Sequence, residues 1–198
     1  RKHAGGLLCL AIDNSLAEKL QLKYMHNMLS ASNELDEESK KMIMGTAPYG
    51  DHPTFSISIN HKQTYTGITD RDRALTIKEM STLYKNENPK QYFNSTFKTP
   101  GHVPLLIASN GLLSSRTGHT EMSVYLAQLA NLSPITAICE MMDSETYSAL
   151  SVEKAEKYGS GSVAVHNSRH IGMLAYHSMM ALEHDMIGLT MTAGNSLS

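Results

Sequence analysis

The spacing of apolar and polar residues predicts strands that alternate with helices. Residues 6–12 form a continuous apolar run, which is typical of a strand buried on both faces. Residues 55–60 alternate apolar and polar positions, as a half-buried strand does, so their polar side chains are expected to be solvated. Residues 134–142 form another strand-length apolar run. These patterns predict an α/β (α+β) fold in three layers.

Helical spacing recurs between these runs. Apolar residues at 122, 125, 126, 129 and 130 fall on one helical face, and Thr120 before them is a suitable N-cap. Residues 69–72 resemble a capping box, with Ile77, Met80 and Tyr84 on one face of the helix that follows. Short helices are predicted at 16–20 and near 37–44, the second within a long surface excursion over 25–52.

Residues 89–98 are predicted to be a loop that leads into an irregular turn at 99–104. His102 lies in that turn, flanked by Pro100, Gly101 and Pro104. A histidine on a stiff loop is a candidate catalytic residue. The pattern is equally compatible with a histidine that only makes structural hydrogen bonds, and this alternative stays open.

Composition narrows the function classes. The chain has 198 residues, with 17 Lys and Arg against 19 Asp and Glu, so its net charge of −2 gives no electrostatic reason to expect nucleic-acid binding. No apolar run approaches the ~18 residues that span a membrane. Cys9 and Cys139 both lie in apolar runs, which indicates buried thiols in a reduced, cytoplasmic protein. The start at Arg1, just ahead of a buried strand, is interpreted as the interior of a longer protein.

The segment Arg116-Thr117-Gly118-His119-Thr120-Glu121 is the strongest candidate site. A helix that begins here would direct uncapped backbone N–H groups toward an anion, and Arg116 could bind a phosphate bidentately. His119 could ligate a metal or transfer a proton. An ordinary capped helix with a surface histidine explains the same residues and also stays open.

Two further groups could carry chemistry. Thr66, Asp72, Arg73 and Thr76 form a hydrogen-bonding cluster, which helix capping and a surface Asp–Arg pair would also explain. Glu140 ends an apolar run, and its pKa would be raised if it were buried without a positive partner. A surface carboxylate at a strand end is the alternative.

Taken together in order, six blocks over residues 5–142 resemble 3,4-dihydroxy-2-butanone 4-phosphate synthase of the archaeal type. The blocks are Gly5-Gly6-Leu7-Leu8-Cys9, residues 55–61, residues 66–73, Pro100-Gly101-His102-Val103, residues 116–121 and Ile138-Cys139-Glu140-Met141-Met142. The family converts ribulose 5-phosphate to formate and a four-carbon ketose phosphate with Mg²⁺ (or Mn²⁺). The resemblance implies a mixed sheet flanked by helices, and a homodimer with its sites at the subunit interface.

Site roles follow from the resemblance by position. It implies His102 and Glu140 as the essential acid–base pair, and His119 as a metal ligand. The sugar phosphate would be bound by residues 116–120 (Arg116, Thr117, Gly118, His119, Thr120), with Thr66, Asp72, Thr76 and Cys9 close to the substrate. The family's acidic metal-binding loop precedes the Gly-Gly strand, and this chain is expected to begin after it. His119 alone is a poor site for a hard cation.

Residues 159–198 resemble a second protein family. Their strand–loop–helix–strand pattern is similar to part of the malate/L-lactate dehydrogenase family that lacks a Rossmann fold, which implies a proton-transferring histidine at His170. The chain is therefore divided into a synthase-like domain, 1–158, and a β-α-β segment, 159–198. Three functions stay open: a metal-dependent sugar-phosphate lyase, a fragment of an NAD(P)-dependent 2-hydroxyacid oxidoreductase, and a recombined chain that folds without catalysis.

Overall fold

A four-stranded mixed sheet is the centre of the fold in the computed structural model, which describes residues 6–43 and 52–140. Its strands are β1 (Cys9–Ile12), β2 (Phe55–His61), β3 (Phe97–Ile107) and β4 (Ile135–Ile138), in the spatial order β2-β3-β1-β4. β1 and β3 run parallel, and the β1–β4 and β2–β3 pairs are antiparallel. The mixed sheet with its helices confirms the predicted fold class.

Six α-helices accompany the sheet in the described residues. They are α1 (Asn14–Leu20), α2 (Met25–Ser30), α3 (Glu37–Ile43), α4 (Asp70–Thr82), α5 (Pro89–Thr96) and α6 (His119–Leu129). Single 3₁₀ turns follow α4 at Leu83–Lys85 and precede α6 at Leu112–Ser114. No helix in the described ranges is long and apolar enough to cross a membrane.

Leu7–Cys139 form one compact unit, whereas Gly6 and Glu140 belong to another. Within the second unit, the Gly6 N–H donates to the Glu140 carbonyl oxygen at 3.1 Å. The predicted boundary at 158/159 and the segment 159–198 lie outside the described residues, so the domain division stays a prediction.

The core lies around β1, as its unbroken apolar sequence predicts. All four β1 residues are buried, and Leu10 and Ile12 pack with Ile59, Leu105 and Ile107 from the neighbouring strands. Burying one such side chain contributes about 1.5–3 kcal/mol. The short helix predicted after β1 is α1, capped by Asp13, whose Oδ1 accepts from the Leu16 N–H at 3.2 Å.

The polar face of β2 differs from the expectation of a solvated surface. Ser56 is 0% exposed and Asn60 is 3% exposed, whereas Phe55 is 37% exposed. Each buried polar group has a partner: the Ser56 hydroxyl donates to the Lys23 carbonyl at 2.7 Å, and Asn60 binds His102. The prediction failed because these partners come from segments distant in sequence, which satisfy the polar groups away from water.

The prediction of a loop at 89–98 is wrong, because most of this segment forms helix α5. Pro89 occupies the first turn of α5, where its missing N–H costs nothing, and Phe93 buries the helix against the core. The predicted turn at 99–104 is part of strand β3. It remains irregular, however, because Ile59 pairs with Val103 whereas Asn60 pairs with Lys98, so residues 99–102 bulge from the strand.

The predicted orientation and cap of α6 are also wrong. Its N-cap is Gly118, and Thr120 lies buried within the first turn. The buried face carries Glu121, Val124 and Ala127, while the apolar side chains of the predicted face are largely exposed: Tyr125 39%, Leu126 55% and Leu129 61%. An ion pair made by Glu121 explains the difference, because it allows a carboxylate to face inward.

The two cysteines differ in environment. Cys9 is buried on β1, as expected, but Cys139 is exposed, so the prediction of two buried thiols is wrong for Cys139. Glu140 follows it and is also exposed, which agrees with the alternative of a surface carboxylate at a strand end.

Candidate functional site

The amino terminus of α6 presents backbone N–H groups that its N-cap residue leaves without a side-chain acceptor. Gly118 has extended backbone angles, φ −108° and ψ 164°, and forms no side-chain cap. The positive end of the helix dipole adds to the donor character of these groups. His119 and Thr117 are exposed beside them. This geometry suits an anion, as the sequence predicted.

Arg116 is held next to this helix end by a buried carboxylate. Its Nη1 donates to Glu121 Oε2 at 2.6 Å, and Glu121 is fully buried. The other carboxylate oxygen, Oε1, accepts from the Ser109 N–H at 3.0 Å. The expected bidentate Arg116–phosphate pair is thus only partly available, because one guanidinium nitrogen is already committed to Glu121.

The Arg116 and Glu121 side chains pack closely against the α-carbon of Gly118 at the N-cap. A methyl group at its α-carbon would overlap Arg116 Nη1 and lie 2.6 Å from Glu121 Oε2. Any larger residue would therefore displace the guanidinium. The glycine of the motif keeps both the helix N-terminus and Arg116 accessible.

Tyr24, which lies near Glu121 and Arg116, begins a stack of three aromatic rings. Tyr24 stacks on His26 with ring centroids 5.5 Å apart, and His26 stacks on His52 at 4.9 Å. Burial raises the pKa of Tyr24, with a further increase from the Glu121 charge and an opposing effect from Arg116. Burial and the neighbouring His52 lower the pKa of His26, and a hydrogen bond involving the Pro53 backbone opposes them.

Thr120 joins α6 to the start of β2. Its hydroxyl lies 3.1 Å from the Thr54 hydroxyl, and both residues are buried. The predicted substrate-binding residue Thr120 is therefore a structural contact through its side chain, while its backbone N–H belongs to the first helical turn.

His102 lies on the bulge of β3 and is exposed. The Asn60 side chain contacts it twice: Oδ1 accepts from the His102 backbone N–H at 2.8 Å, and Nδ2 lies 3.0 Å from the imidazole Nδ1. Gly101 beside it packs directly on the β2 backbone at Ile59, where a side chain would not fit.

Asp72 anchors the segment before α4. Its Oδ2 accepts from the Gly67 N–H at 2.9 Å and from Thr66 through the N–H at 3.2 Å and the hydroxyl at 3.3 Å. These hydrogen bonds, the one from Gly67 first, lower the pKa of Asp72. Thr76 is fully buried and faces the backbone, accepting from the His61 N–H and donating to the Asp72 carbonyl, both at 3.0 Å.

The candidate residues of Leu7–Cys139 fall at two places along β3. His102 lies at the middle of β3, where the Asn60 side chain holds it. The residues at 116–121 lie beyond its end, because Ser109, bound by Glu121, follows the strand. Five residue steps of extended chain lead from His102 to the last strand residue, Ile107, about 17 Å. That His102 and Arg116–Thr120 belong to one active site stays a prediction.

The other predicted residues are placed as follows. Cys9 lies on β1, next to the strand that carries His102, and opposite Ile138 of β4. Glu140 lies in the second unit with Gly6, and its pairing with His102 stays a prediction. His170 lies outside the described residues.

The predicted metal site is incomplete within the described ranges. They contain no group of three or more His, Cys, Asp or Glu side chains that could hold a metal ion. His119 contributes one imidazole, whereas Mg²⁺ prefers an octahedron of oxygen ligands. The described residues do not fit Mg²⁺ on their own.

The described residues form a mixed α/β fold in which Arg116 lies beside the uncapped amino terminus of α6 and Asn60 holds His102 on β3. The family model of 3,4-dihydroxy-2-butanone 4-phosphate synthase matches residues 1–165, and the chain belongs to this family, which places it in riboflavin biosynthesis. The synthase of Archaeoglobus fulgidus is 45% identical over 161 residues, which is 80% of this chain and 68% of the relative. A riboflavin biosynthesis protein of Staphylococcus epidermidis is 37% identical over 145 residues, or 73% of this chain and 30% of that protein.

Solved structures agree with the fold. The synthase of Candida albicans has a TM-score of 0.58 at 28% identity, over 82% of this chain and 69% of that one. A synthase in complex with two magnesium ions has a TM-score of 0.57 at 25% identity, over 80% and 69%. The resemblance to the synthase family and the fold class are thereby confirmed.

The malate/L-lactate dehydrogenase family model matches residues 143–197. This local match agrees with the resemblance noted for the tail. The oxidoreductase alternative finds no support among the relatives that match over most of the chain, which are named as synthases and riboflavin biosynthesis proteins.

Sequence reasoning missed Glu121, Asn60 and the Tyr24–His26–His52 stack. Glu121 belongs to the motif at 116–121, and its spacing from Arg116 is compatible with an ion pair across the first helical turn. Asn60 carried no such signal, because its partner His102 is 42 residues away.

Proposed function

We propose that this chain converts ribulose 5-phosphate to L-3,4-dihydroxy-2-butanone 4-phosphate and formate. The observation that carries the proposal is the α6 amino terminus, where Gly118 leaves the backbone N–H groups uncapped beside Arg116. A sugar phosphate matches this site in charge and hydrogen bonding. The named synthase relatives supply the reaction.

In this proposal the phosphate binds the N–H groups of the first turn of α6, and the Arg116 guanidinium adds positive charge beside them. Glu121 orients Arg116 before substrate arrives, so less entropy is lost on binding. His102 then exchanges or shares a proton with a substrate oxygen during enolisation, and Glu140 is the proposed second acid–base group.

We further propose a homodimer in which each active site takes its two halves from different copies. The position of His102, about 17 Å along β3 from the strand end that precedes residues 116–121, supports this, because a five-carbon substrate is shorter than that separation. In a symmetric dimer the same two patches would meet twice, giving two equivalent sites.

A divalent metal, Mg²⁺ or Mn²⁺, is part of the proposal, with His119 as one ligand. The relative that binds two magnesium ions supports it. The carboxylates that such a hard cation prefers would come from outside the described residues, as the expected upstream acidic loop would provide. We also propose that the reaction takes place in the cytoplasm.

The test is formate release from ribulose 5-phosphate in the presence of Mg²⁺. It is run on the 198-residue chain and on the same chain preceded by an acidic loop of the kind expected for the family. We expect formate from the extended chain, and its loss on His102→Gln. A folded, extended chain that binds inorganic phosphate but releases no formate would contradict the proposed reaction.

A further inference from the structure

The contact between Asn60 and His102 determines which imidazole nitrogen carries the proton. The backbone N–H of His102 can only donate, so the atom of Asn60 that it contacts at 2.8 Å must be the carbonyl oxygen Oδ1. The amide nitrogen Nδ2 then faces the imidazole Nδ1 at 3.0 Å. An amide nitrogen only donates, so Nδ1 must accept, and a neutral ring carries its proton on Nε2.

Asn60 has no freedom to turn its amide over. It is 3% exposed, and reversing the amide would place two donors against each other at the His102 backbone. Gly67 packs on one side of the carboxamide so closely that a methyl group there would overlap it. Burial and packing therefore fix both contacts to His102.

The position of Gly67 is fixed in turn by Asp72. The Gly67 N–H donates to Asp72 Oδ2 at 2.9 Å, and Gly67 has φ +84°, a conformation that favours glycine. The cluster that the sequence placed near the substrate thus forms a support that runs from Asp72 through Gly67 to Asn60 and ends at His102.

We infer that Asn60 is a positioning residue that holds His102 in the tautomer with Nε2 protonated. In this tautomer His102 acts on the substrate as a hydrogen-bond donor and not as the initial base. This inference rests on the proposed function for its catalytic meaning. With Nδ1 occupied by Asn60, the neutral ring has no available nitrogen lone pair. His102 can polarise a substrate oxygen through Nε2–H, and another group must remove the carbon-bound proton.

The tautomer is measured directly by long-range ¹H–¹⁵N correlation spectra of ¹⁵N-histidine-labelled protein above the pH at which histidines are charged. His102→Gln identifies its signals among the ten histidines. We expect a pyridine-like shift for Nδ1 and a pyrrole-like shift for Nε2. The opposite assignment in the unmodified chain would overturn the inference, whether or not any variant folds.

Asn60→Asp tests the cause. Aspartate keeps the acceptor for the His102 backbone N–H but offers Nδ1 only an acceptor, so we expect Nδ1 to become protonated and pyrrole-like. Ser58→Ala is the matched control, because Ser58 Oγ accepts from the Gly101 N–H at 3.1 Å on the same bulge without contacting the imidazole. We expect the control to keep the original tautomer. A pyridine-like Nδ1 in folded Asn60→Asp would overturn the inference.

Turnover separates this inference from the proposed function. In the formate assay we expect Asn60→Asp to lower kcat about tenfold, with KM little changed, because a hydrogen donor is lost at the reacting atoms. Full kcat in a variant with the tautomer reversed would refute the donor role. Absence of formate from every form, with Nδ1 pyridine-like in the unmodified chain, would refute the synthase proposal and leave the tautomer assignment standing.

Discussion

Removing the Glu121 carboxylate is expected to destabilise the fold at the candidate phosphate site. Glu121 is fully buried and accepts from Arg116 at 2.6 Å and from the Ser109 N–H at 3.0 Å. Glu121→Gln keeps the shape but replaces charge-assisted hydrogen bonds by neutral ones, at a cost of about 1–2 kcal/mol. Glu121→Leu breaks the ion pair with Arg116 and should cost about 3–5 kcal/mol, the usual penalty for breaking a buried ion pair.

Urea unfolding followed by circular dichroism measures these costs from the midpoint and slope of the transition. Glu18→Gln is the control, because Glu18 is exposed on α1 and its replacement should stay within about 0.5 kcal/mol. Adding Arg116→Met to Glu121→Leu should recover part of the loss, because two apolar side chains then replace the ion pair. Equal stability of Glu121→Leu and Glu18→Gln would refute the claim that Glu121 holds this site together.

Three further outcomes follow from local geometry. Gly118→Ala should weaken inorganic phosphate binding about tenfold in calorimetry, because its methyl group displaces the Arg116 guanidinium; unchanged affinity would contradict this. In an NMR titration, His26 should titrate below its ordinary pKa of 6.5 and return toward it in His52→Gln. The corresponding contribution to folding stability is present above pH 6.5 and is lost as the pH falls through the pKa of His26 in the folded protein. A His26 pKa that His52→Gln leaves unchanged would rule out the effect of the neighbouring charge. Asp72→Asn should destabilise the chain at neutral pH, with a difference that shrinks as the pH falls below 3.8 through the lowered pKa of Asp72; a pH-independent difference would speak against its role as a charged acceptor.

Features that depend on neighbours in sequence could be predicted. The apolar run predicted β1, and the short helix predicted after it is α1, capped by Asp13. Thr69 caps α4 by accepting from the Asp72 N–H at 3.1 Å, as the capping-box spacing indicated. In each case the hydrogen bond joins residues three positions apart, so the local pattern contains the necessary information.

Features that depend on distant partners could not be predicted. Nothing near Asn60 in sequence shows that a bulge of β3 covers it, so its strand face looked solvated. The inward turn of α6 depends on Ser109 as well as Arg116, and helical periodicity alone favoured the more apolar face. The order of motifs likewise did not show that His102 lies in the middle of β3 and residues 116–121 beyond its end, because order along the chain does not show where a strand begins and ends.

The most direct test of the shared site is complementation between two inactive variants. Chains with His102→Gln and with His119→Gln, both carrying the acidic amino-terminal segment, are unfolded, mixed in equal amounts and refolded, and formate release is measured. Each alone should be inactive, and the mixture should regain about a quarter of the original activity, because half the dimers are mixed and each has one intact site. A mixture that stays inactive, although mass measurement shows mixed dimers, would contradict an active site built from both copies.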